Sequence, residues 1–273
     1  MSLLPQSILK SVIYIETPNG AWTWFLIWMK NWKNSLEWKA YYDIFIVTNL
    51  HIIENCLEFK VFFNQKDGEK THESIKKEDS QVIYYKGISD RKDKNAVDVV
   101  LIHINWEVLN QKRYDWIFIT EEQLIWDLKE YSETIKVWQE IFLLWFPLWQ
   151  TSPWIWKNNF HPLARQGIIS RYDEELEQKN QVYLDVNNFP WNSWWPIILK
   201  PNAFSLEGNK PLLQAKLIWI IFSYFPFEKI YFDITTIPPT AAMKMQENSW
   251  IAIWIPSYII YEMAKNYMDT KKI

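Results

Sequence analysis

Glycine is nearly missing from this chain. It occurs 5 times in 273 residues, about 1.8%, where ~7% is usual. Folds of this size use glycine wherever the backbone takes positive φ, and five is too few for that work. The shortage leaves two readings: a rigid helical protein, or glycine replaced on the page by something else. Cysteine occurs once, as Cys56, which excludes an intramolecular disulfide framework and leaves a small buried hydrophobe as its simplest role. Excess charge is also missing. Lys plus Arg is 29 and Asp plus Glu is 32, a net charge of −3, so there is no electrostatic case for nucleic acid. Long apolar runs are absent. The longest, residues 141–149 and 217–227, fall short of the ~20 residues of a membrane-spanning helix and read as buried strands, with no membrane partner expected. The first ten residues carry no charged segment followed by an unbroken apolar one. No secretory signal is expected, and the cytoplasm is the default location.

What the chain has instead is tryptophan, 19 residues or about 7.0%. It also has short runs of β-branched and aromatic residues between polar stretches, the pattern of an all-β fold. Strands are expected over residues 11–16, 24–29, 44–48, 58–64, 81–86, 97–104, 140–146, 167–170, 181–186, 196–199, 216–222 and 249–255. A dozen strands suit two six-stranded antiparallel Greek-key barrels better than one sandwich. The expected division is 1–125 for the first barrel and 126–273 for the second. Residues 67–79 and 86–95 read as charged hairpin tips, 120–136 as the crossover with a helix near 124–131, and 202–214 and 227–247 as surface insertions. Helical periodicity marks a lead-in at 5–10 and a closing helix at 256–268, expected on the second barrel. A rigid helical protein is therefore excluded, and the glycine shortage stands.

Three segments carry groups suited to nucleophilic chemistry. Ile46-Val47-Thr48-Asn49-Leu50-His51 is a strand running into a histidine, and Val97-Asp98-Val99-Val100-Leu101-Ile102 sets an acid at the head of an apolar strand. Asp90 and Asp93 lie close by, but only Asp98 is followed by such a strand. The third segment is Pro190-Trp191-Asn192-Ser193-Trp194-Trp195-Pro196. With glycine in place of each tryptophan it reads Gly-Asn-Ser-Gly-Gly-Pro, the nucleophile loop of trypsin-like serine proteases. The same exchange turns Ala21-Trp22-Thr23-Trp24-Phe25-Leu26-Ile27 into the strand that precedes the catalytic histidine in those enzymes. It turns Trp138-Gln139-Glu140 through Trp149 into the opening of their second barrel, and Leu217-Ile218-Trp219-Ile220 and Ile253-Trp254-Ile255-Pro256-Ser257 into the stretches after the serine. Read in this way, the chain resembles the bacterial trypsin-like peptidases, most closely the protease domain of the HtrA/Deg group, over roughly residues 8–265. It departs from that pattern at Asn188-Phe189 and in its long insertions.

One cause accounts for a single replacement at so many sites. UGA is read as glycine in some bacterial lineages and as tryptophan in some translation tables, so the expectation is that glycine stands in the cell where tryptophan is written. Moving all 19 gives 24 glycines, about 8.8% of the chain, near the ordinary ~7%. UGG codons at 22, 24, 191, 194 and 195 would end the idea.

The resemblance implies a serine endopeptidase without cofactor or metal, acting on polypeptides. The implied triad is His51 as base, Asp98 as orienting acid and Ser193 as nucleophile, in that order at separations of 47 and 95 residues. The N–H groups of Trp191 (as glycine) and Ser193 would form the oxyanion hole, each donor worth about 3–4 kcal/mol. Asn187, six before the serine, would line the primary pocket and, being neutral, disfavour a strict Lys/Arg preference. The segment Ile221-Phe222-Ser223, within a strand spanning 219–224, would pair with the substrate backbone. His103 reads as structural, and His72 and His161 have no ligand partner in the sequence. Two other functions compete: an inactive homologue that binds proteins or peptides, and an aromatic-rich carbohydrate-binding β-protein. The second would need tryptophans gathered on one face, whereas the sequence sets them at turn-like and loop positions. No oligomeric state is legible.

Overall fold

The computed structural model describes residues 4–36, 39–64, 70–78, 80–90, 92–93, 96–104, 118–146, 162–178, 182–186, 195–202, 211–233, 235 and 240–271. Among these, two antiparallel sheets account for most of the chain. The first contains β1 (Val12–Thr17), β2 (Gly20–Leu36), β3 (Lys39–Thr48), β4 (Glu58–Asn64), β5 (Lys70–Lys76), β6 (Gln81–Tyr84) and β7 (Val100–Ile104), in the order β5-β4-β1-β2-β3-β7-β6. The second contains β8 (Glu140–Trp145), β9 (Leu163–Arg171), β10 (Tyr183–Asp185), β11 (Pro196–Leu199), β12 (Lys216–Asp233) and β13 (Thr240–Pro256), in the order β10-β9-β8-β11-β12-β13. Its outer strands β10 and β13 touch, so this sheet curls back on itself. Helices α1 (Gln6–Ser11), α2 (Leu50–Ile53), α3 (Leu128–Thr134), α4 (Glu174–Gln178) and α5 (Ser257–Thr270) complete the fold.

The all-β, two-sheet expectation holds, with seven strands rather than six in the first sheet. The additional strand is β5, Lys-Thr-His-Glu-Ser-Ile-Lys, which the charge pattern had marked as a hairpin tip. It is an edge strand paired on one side with β4, so only part of it is covered and its sequence shows little apolar alternation. His72, expected in a loop, lies on this strand with its ring 5.4 Å from Phe62. The supposed insertion at 227–247 is also strand for most of its length. β12 and β13 stay paired out to Asp233 and Thr240, an arm that carries exposed Ile230, Tyr231 and Phe232. The strand expected to reach residue 86 stops at Tyr84, where Lys86 takes a φ of +50° in a 3-10 turn.

Three apolar cores follow from this layout. Ile15, Leu26, Ile46, Phe59 and Ile102 fill the first lobe, and Ile141, Leu143, Ile169, Ile197 and Ile218 fill the second. A third cluster joins the lobes, with Val12, Phe25 and Val47 from one side and Leu144, Ile198 and Leu217 from the other. There the buried Phe146 N–H donates to Thr23 Oγ1 at 2.9 Å. The crossover is fastened at both ends: Ile119 exchanges backbone hydrogen bonds with Leu26 and Trp28, and Leu124 bridges to Leu217.

Helix α5 buries Ile259, Ile260, Met263 and Ala264 in the joining cluster. It touches β2, β3, β6 and β7 as well as β12 and β13, so it closes the seam between lobes rather than docking on the second alone. Among the described residues no helix is long and apolar enough to cross a membrane.

Candidate active site

Strand β3 ends at Thr48 and passes through Asn49 directly into the single turn of α2, which presents His51. β7 is the antiparallel neighbour of β3, with Thr48 opposite Val100. Two residues further along, the same register sets position 98 across from Leu50, one residue from His51. The chain bends sharply there, the Val99 N–H donating to Val97 O at 2.7 Å, and the bend turns the Asp98 carboxylate toward α2. Two residues that lie 47 apart in sequence thus meet because two neighbouring strands end at the same level.

The contact is close and multiple. Asp98 Oδ2 lies 2.5 Å from His51 Nδ1, and Oδ1 accepts the His51 backbone N–H at 2.9 Å. Asn49 Nδ2 donates to Oδ2 at 3.3 Å. One carboxylate therefore grips both the ring and the backbone of the histidine, which fixes the rotation of the imidazole as well as its position. With Nδ1 held as a donor to the acid, Nε2 is the nitrogen suited to accept a proton. The His51 side chain is 26% exposed and Asp98 12%, so the pair is shielded while one edge of the ring reaches solvent. Asn49 occupies the N-cap position of α2 but makes no capping bond; its amide goes to Asp98 instead. Its Oδ1 and the neighbouring Thr48 Oγ1 are buried with no hydrogen-bond partner among the described residues. Each such group costs about 1–3 kcal/mol, which marks this corner as shaped for something other than stability.

The other acids weighed against Asp98 lie elsewhere. Asp90 Oδ1 accepts the Lys92 N–H in an exposed turn, and the Asp93 N–H donates to Asp90 O. His103 is part-buried and pairs with Asp43 at 2.8 Å, and Cys56 is buried with its thiol toward Ile52 O. Burial raises the Cys56 pKa, and bonding to Thr17 and the charge of Lys77 counter it in part. Asn49 was not singled out in the sequence, although an asparagine directly before the histidine is a visible polar residue where an apolar strand ends.

On the second lobe, Asn187, Trp191, Ser193 and Trp194 lie outside the described residues, as do Asn188, Phe189 and His161. Trp195, two residues after Ser193, is among the described residues. Trp195 is buried and stacked on Trp145 at 4.6 Å, and its carbonyl accepts the Ile221 N–H at 3.2 Å. Ile221 is buried on β12, paired with Trp254 of β13. Phe222 and Ser223 continue the same strand. Beyond Ile221 the backbone of β12 runs past the start of β11 at Pro196.

The described tryptophans are mainly in strands: Trp22, Trp24 and Trp28 on β2, Trp145 on β8, Trp219 on β12 and Trp254 on β13. That departs from the turn and loop placement read from the sequence. Trp24, Trp219 and Trp254 are fully buried, so they form no exposed stacking face for a sugar. Two of the described tryptophans, Trp24 and Trp138, fit poorly as tryptophan. Trp24 Nε1 is buried and has no hydrogen-bond partner among the described residues, whereas Trp219 Nε1 donates to the Tyr131 hydroxyl. Trp138 takes a φ of +72°, and among the described residues Lys86 is the other non-glycine with positive φ. That backbone region costs an L-residue with a side chain roughly 1–2 kcal/mol and glycine nothing.

Sheets of seven and six strands, joined by a crossover and closed by a C-terminal helix, match the chymotrypsin-like double-barrel class, with a histidine–aspartate pair at the end of two first-lobe strands. Among solved structures, the chain is similar to the MamO protease domain from Magnetospirillum magneticum, with 10% identity, a TM-score of 0.45, and coverage of 95% of this chain and 98% of that one. It is similar to the HtrA-type protease AlgW, solved with a decapeptide, with 13% identity, a TM-score of 0.43, and coverage of 97% and 65%. It is also similar to an inactive form of Rv3671c from M. tuberculosis H37Rv, with 12% identity, a TM-score of 0.41, and coverage of 98% and 91%. No protein-family model matches the sequence, and no curated protein matches it.

Proposed function

We propose that the protein is a serine endopeptidase that hydrolyses peptide bonds through an acyl-enzyme intermediate. Ser193 attacks the scissile carbonyl, His51 accepts its proton through Nε2, and Asp98 holds the imidazole and stabilises its protonated form. The first barrel, 1–125, supplies His51 and Asp98, and the second, 126–273, supplies Ser193. The N–H groups of residues 191 and 193 stabilise the oxyanion, Asn187 lines the primary pocket, and the β12 backbone at Ile221, Phe222 and Ser223 pairs with an extended substrate. The observation that carries this reading is the double grip of Asp98 on His51, ring at 2.5 Å and backbone N–H at 2.9 Å. A histidine held only for packing has no need of an acid that fixes both.

The proposal includes glycine at the 19 tryptophan positions, which the positive φ of Trp138 and the buried Nε1 of Trp24, unpartnered among the described residues, favour. A chain made with glycine at all 19 positions is expected to react with a fluorophosphonate probe, and Ser193→Ala to abolish the reaction. A folded chain that stays unlabelled would overturn the enzyme reading. Trp138→Gly alone is expected to stabilise the tryptophan-bearing chain by about 1 kcal/mol, raising the thermal midpoint by about 2–4 °C. Trp126→Gly, at an exposed position without positive φ, serves as the control and should give no such gain.

A second reading, an inactive homologue that binds protein or peptide segments, is favoured by one observation. With tryptophan in place, Trp195 is buried and stacked on Trp145 two residues after Ser193, a bulk that glycine there would not supply. The same labelling experiment separates the two readings.

A further inference from the structure

The helical turn that carries His51 is too short to hold itself. α2 is four residues long and its N-cap makes no side-chain capping bond. A lone turn fixes several dihedral angles for one or two internal bonds and is unfavourable on its own. Its last carbonyls must find partners outside the helix, because none continues the ladder. The structure shows where they go. Ile52 O accepts from the Cys56 thiol at 3.0 Å, and Ile53 O accepts the Cys56 N–H at 3.2 Å. Ile53 O and Glu54 O also accept from Lys77 Nζ, at 3.0 and 3.3 Å.

Lys77 is itself held in place. It opens the turn after β5, its N–H donates to Leu57 O at 2.8 Å, and its carbonyl accepts from Ser80 Oγ at 3.0 Å. The side chain is therefore fixed at its root and directed at the open end of α2. A cation at a helical C-terminus opposes the partial negative charge of the exposed carbonyls, and its hydrogen bonds are charge-assisted. At the other end of the turn, Asp98 takes the His51 N–H and the ring.

We propose that Lys77 is the positioning residue for His51: its ammonium closes the C-terminal end of the turn whose other end is held by Asp98. The base is thereby clamped between an anion and a cation from two different connections of the first lobe. This rests on the peptidase reading, in which small displacements of the base cost rate, about 100-fold for ~1 Å. Lys77 touches neither substrate nor nucleophile and acts only through α2.

The test uses the chain with glycine at the 19 tryptophan positions. Lys77→Met removes the ammonium and keeps most of the stem, and Lys77→Arg keeps a cation. Three quantities are measured: the rate of fluorophosphonate labelling, the thermal midpoint, and the low-field proton NMR signal of the Nδ1–H between His51 and Asp98. Lys77→Met is expected to lower the labelling rate about tenfold and to broaden or shift the low-field signal upfield, with Lys77→Arg restoring both. A lowered midpoint with unchanged labelling rate and an unchanged low-field signal would overturn the proposal and leave Lys77 as a packing residue. If Lys77→Met does not fold, Lys77→Gln replaces it, since the amide keeps a shorter donor. Failure of the parent chain to label would sink the peptidase reading. The low-field signal, which needs no activity, would then still decide whether Lys77 sets the histidine.

Discussion

Among the described residues the first lobe contains two histidine–aspartate pairs. The sequence marks His51–Asp98 by its strand contexts and reads His103 as structural, while its partner Asp43 emerges only from the fold. His51–Asp98 sits where β3 and β7 end, and His103–Asp43 sits further along the same two strands. Both are short contacts, 2.5 and 2.8 Å. Their surroundings differ. The Asp98 carboxylate binds the backbone N–H of its own histidine and leaves 26% of the His51 side chain exposed. The Asp43 carboxylate spends its second oxygen on Asn31 Nδ2 at 2.8 Å. His103 is 14% exposed and lies among rings, 5.4 Å from Phe45 and 5.2 Å from Tyr267 of α5. The first pair is aimed outward from a loop and a helical turn. The second is set between strands and roofed by the closing helix. A histidine with a carboxylate is therefore not a site by itself; what matters is which edge of the ring the rest of the fold leaves accessible.

Replacing the two acids separates the pairs most strongly. In the glycine-bearing chain, Asp98→Asn is expected to lower the fluorophosphonate labelling rate about 10⁴-fold, the loss seen when an orienting acid becomes an amide that favours the wrong tautomer. Asp43→Asn should leave that rate within about threefold, since the second pair faces the helix. Equal losses from the two substitutions would dissolve the distinction.

Much of this was legible in the sequence, for identifiable reasons. A strand running into His51 and an acid opening an apolar strand are local patterns, and Glu58–Asn64 and Pro196–Leu199 were read to the residue because their apolar content is bounded by polar stretches. The hairpin arm of β12 and β13 was missed because apolar alternation marks a buried face, and the described tip of the arm lies exposed. Helix α5 shows its apolar face in sequence, yet that face cannot say which sheet covers it. The bonds of Asn49 and Lys77 were invisible, since each joins segments brought together only by the fold. The segment around Ser193 resembles a nucleophile loop only once the written tryptophans are read as glycine, and it lies outside the described residues.

The second pair should act on stability. Burial pushes the Asp43 carboxyl up, but the bonds from His103 and Asn31 and the charges of His103 and Lys271 outweigh it and hold its pKa below the usual 3.8. A carboxyl with a folded-state pKa below its unfolded value contributes fully above the unfolded value, and the contribution is lost as pH falls through the folded one. Asp43→Asn is therefore expected to lower stability at neutral pH by about 2–3 kcal/mol, read as a fall of several degrees in the thermal midpoint. The gap between parent and variant should narrow as pH drops below about 4. A gap that stays constant down to pH 2 would show that the charge on Asp43 contributes nothing.

The smallest effect tests the roof. Tyr267 stacks near His103 and meets Phe45 edge-on at 5.8 Å, and its hydroxyl donates to Gln81. Aromatic contacts of this kind add about 0.5–1.5 kcal/mol beyond the area they bury. Tyr267→Ala should therefore cost about 1 kcal/mol or slightly more, while Tyr267→Phe, which keeps both ring contacts, should cost less. Neither should slow labelling, because α5 covers His103 and leaves His51 untouched. Hydrogen exchange at the β7 amides near His103 is expected to quicken in Tyr267→Ala, as the helix end lifts from the strand it covers. Faster exchange confined to α2 instead would mean that the closing helix supports the outward pair, and the two pairs would then be coupled through α5 rather than separated by it.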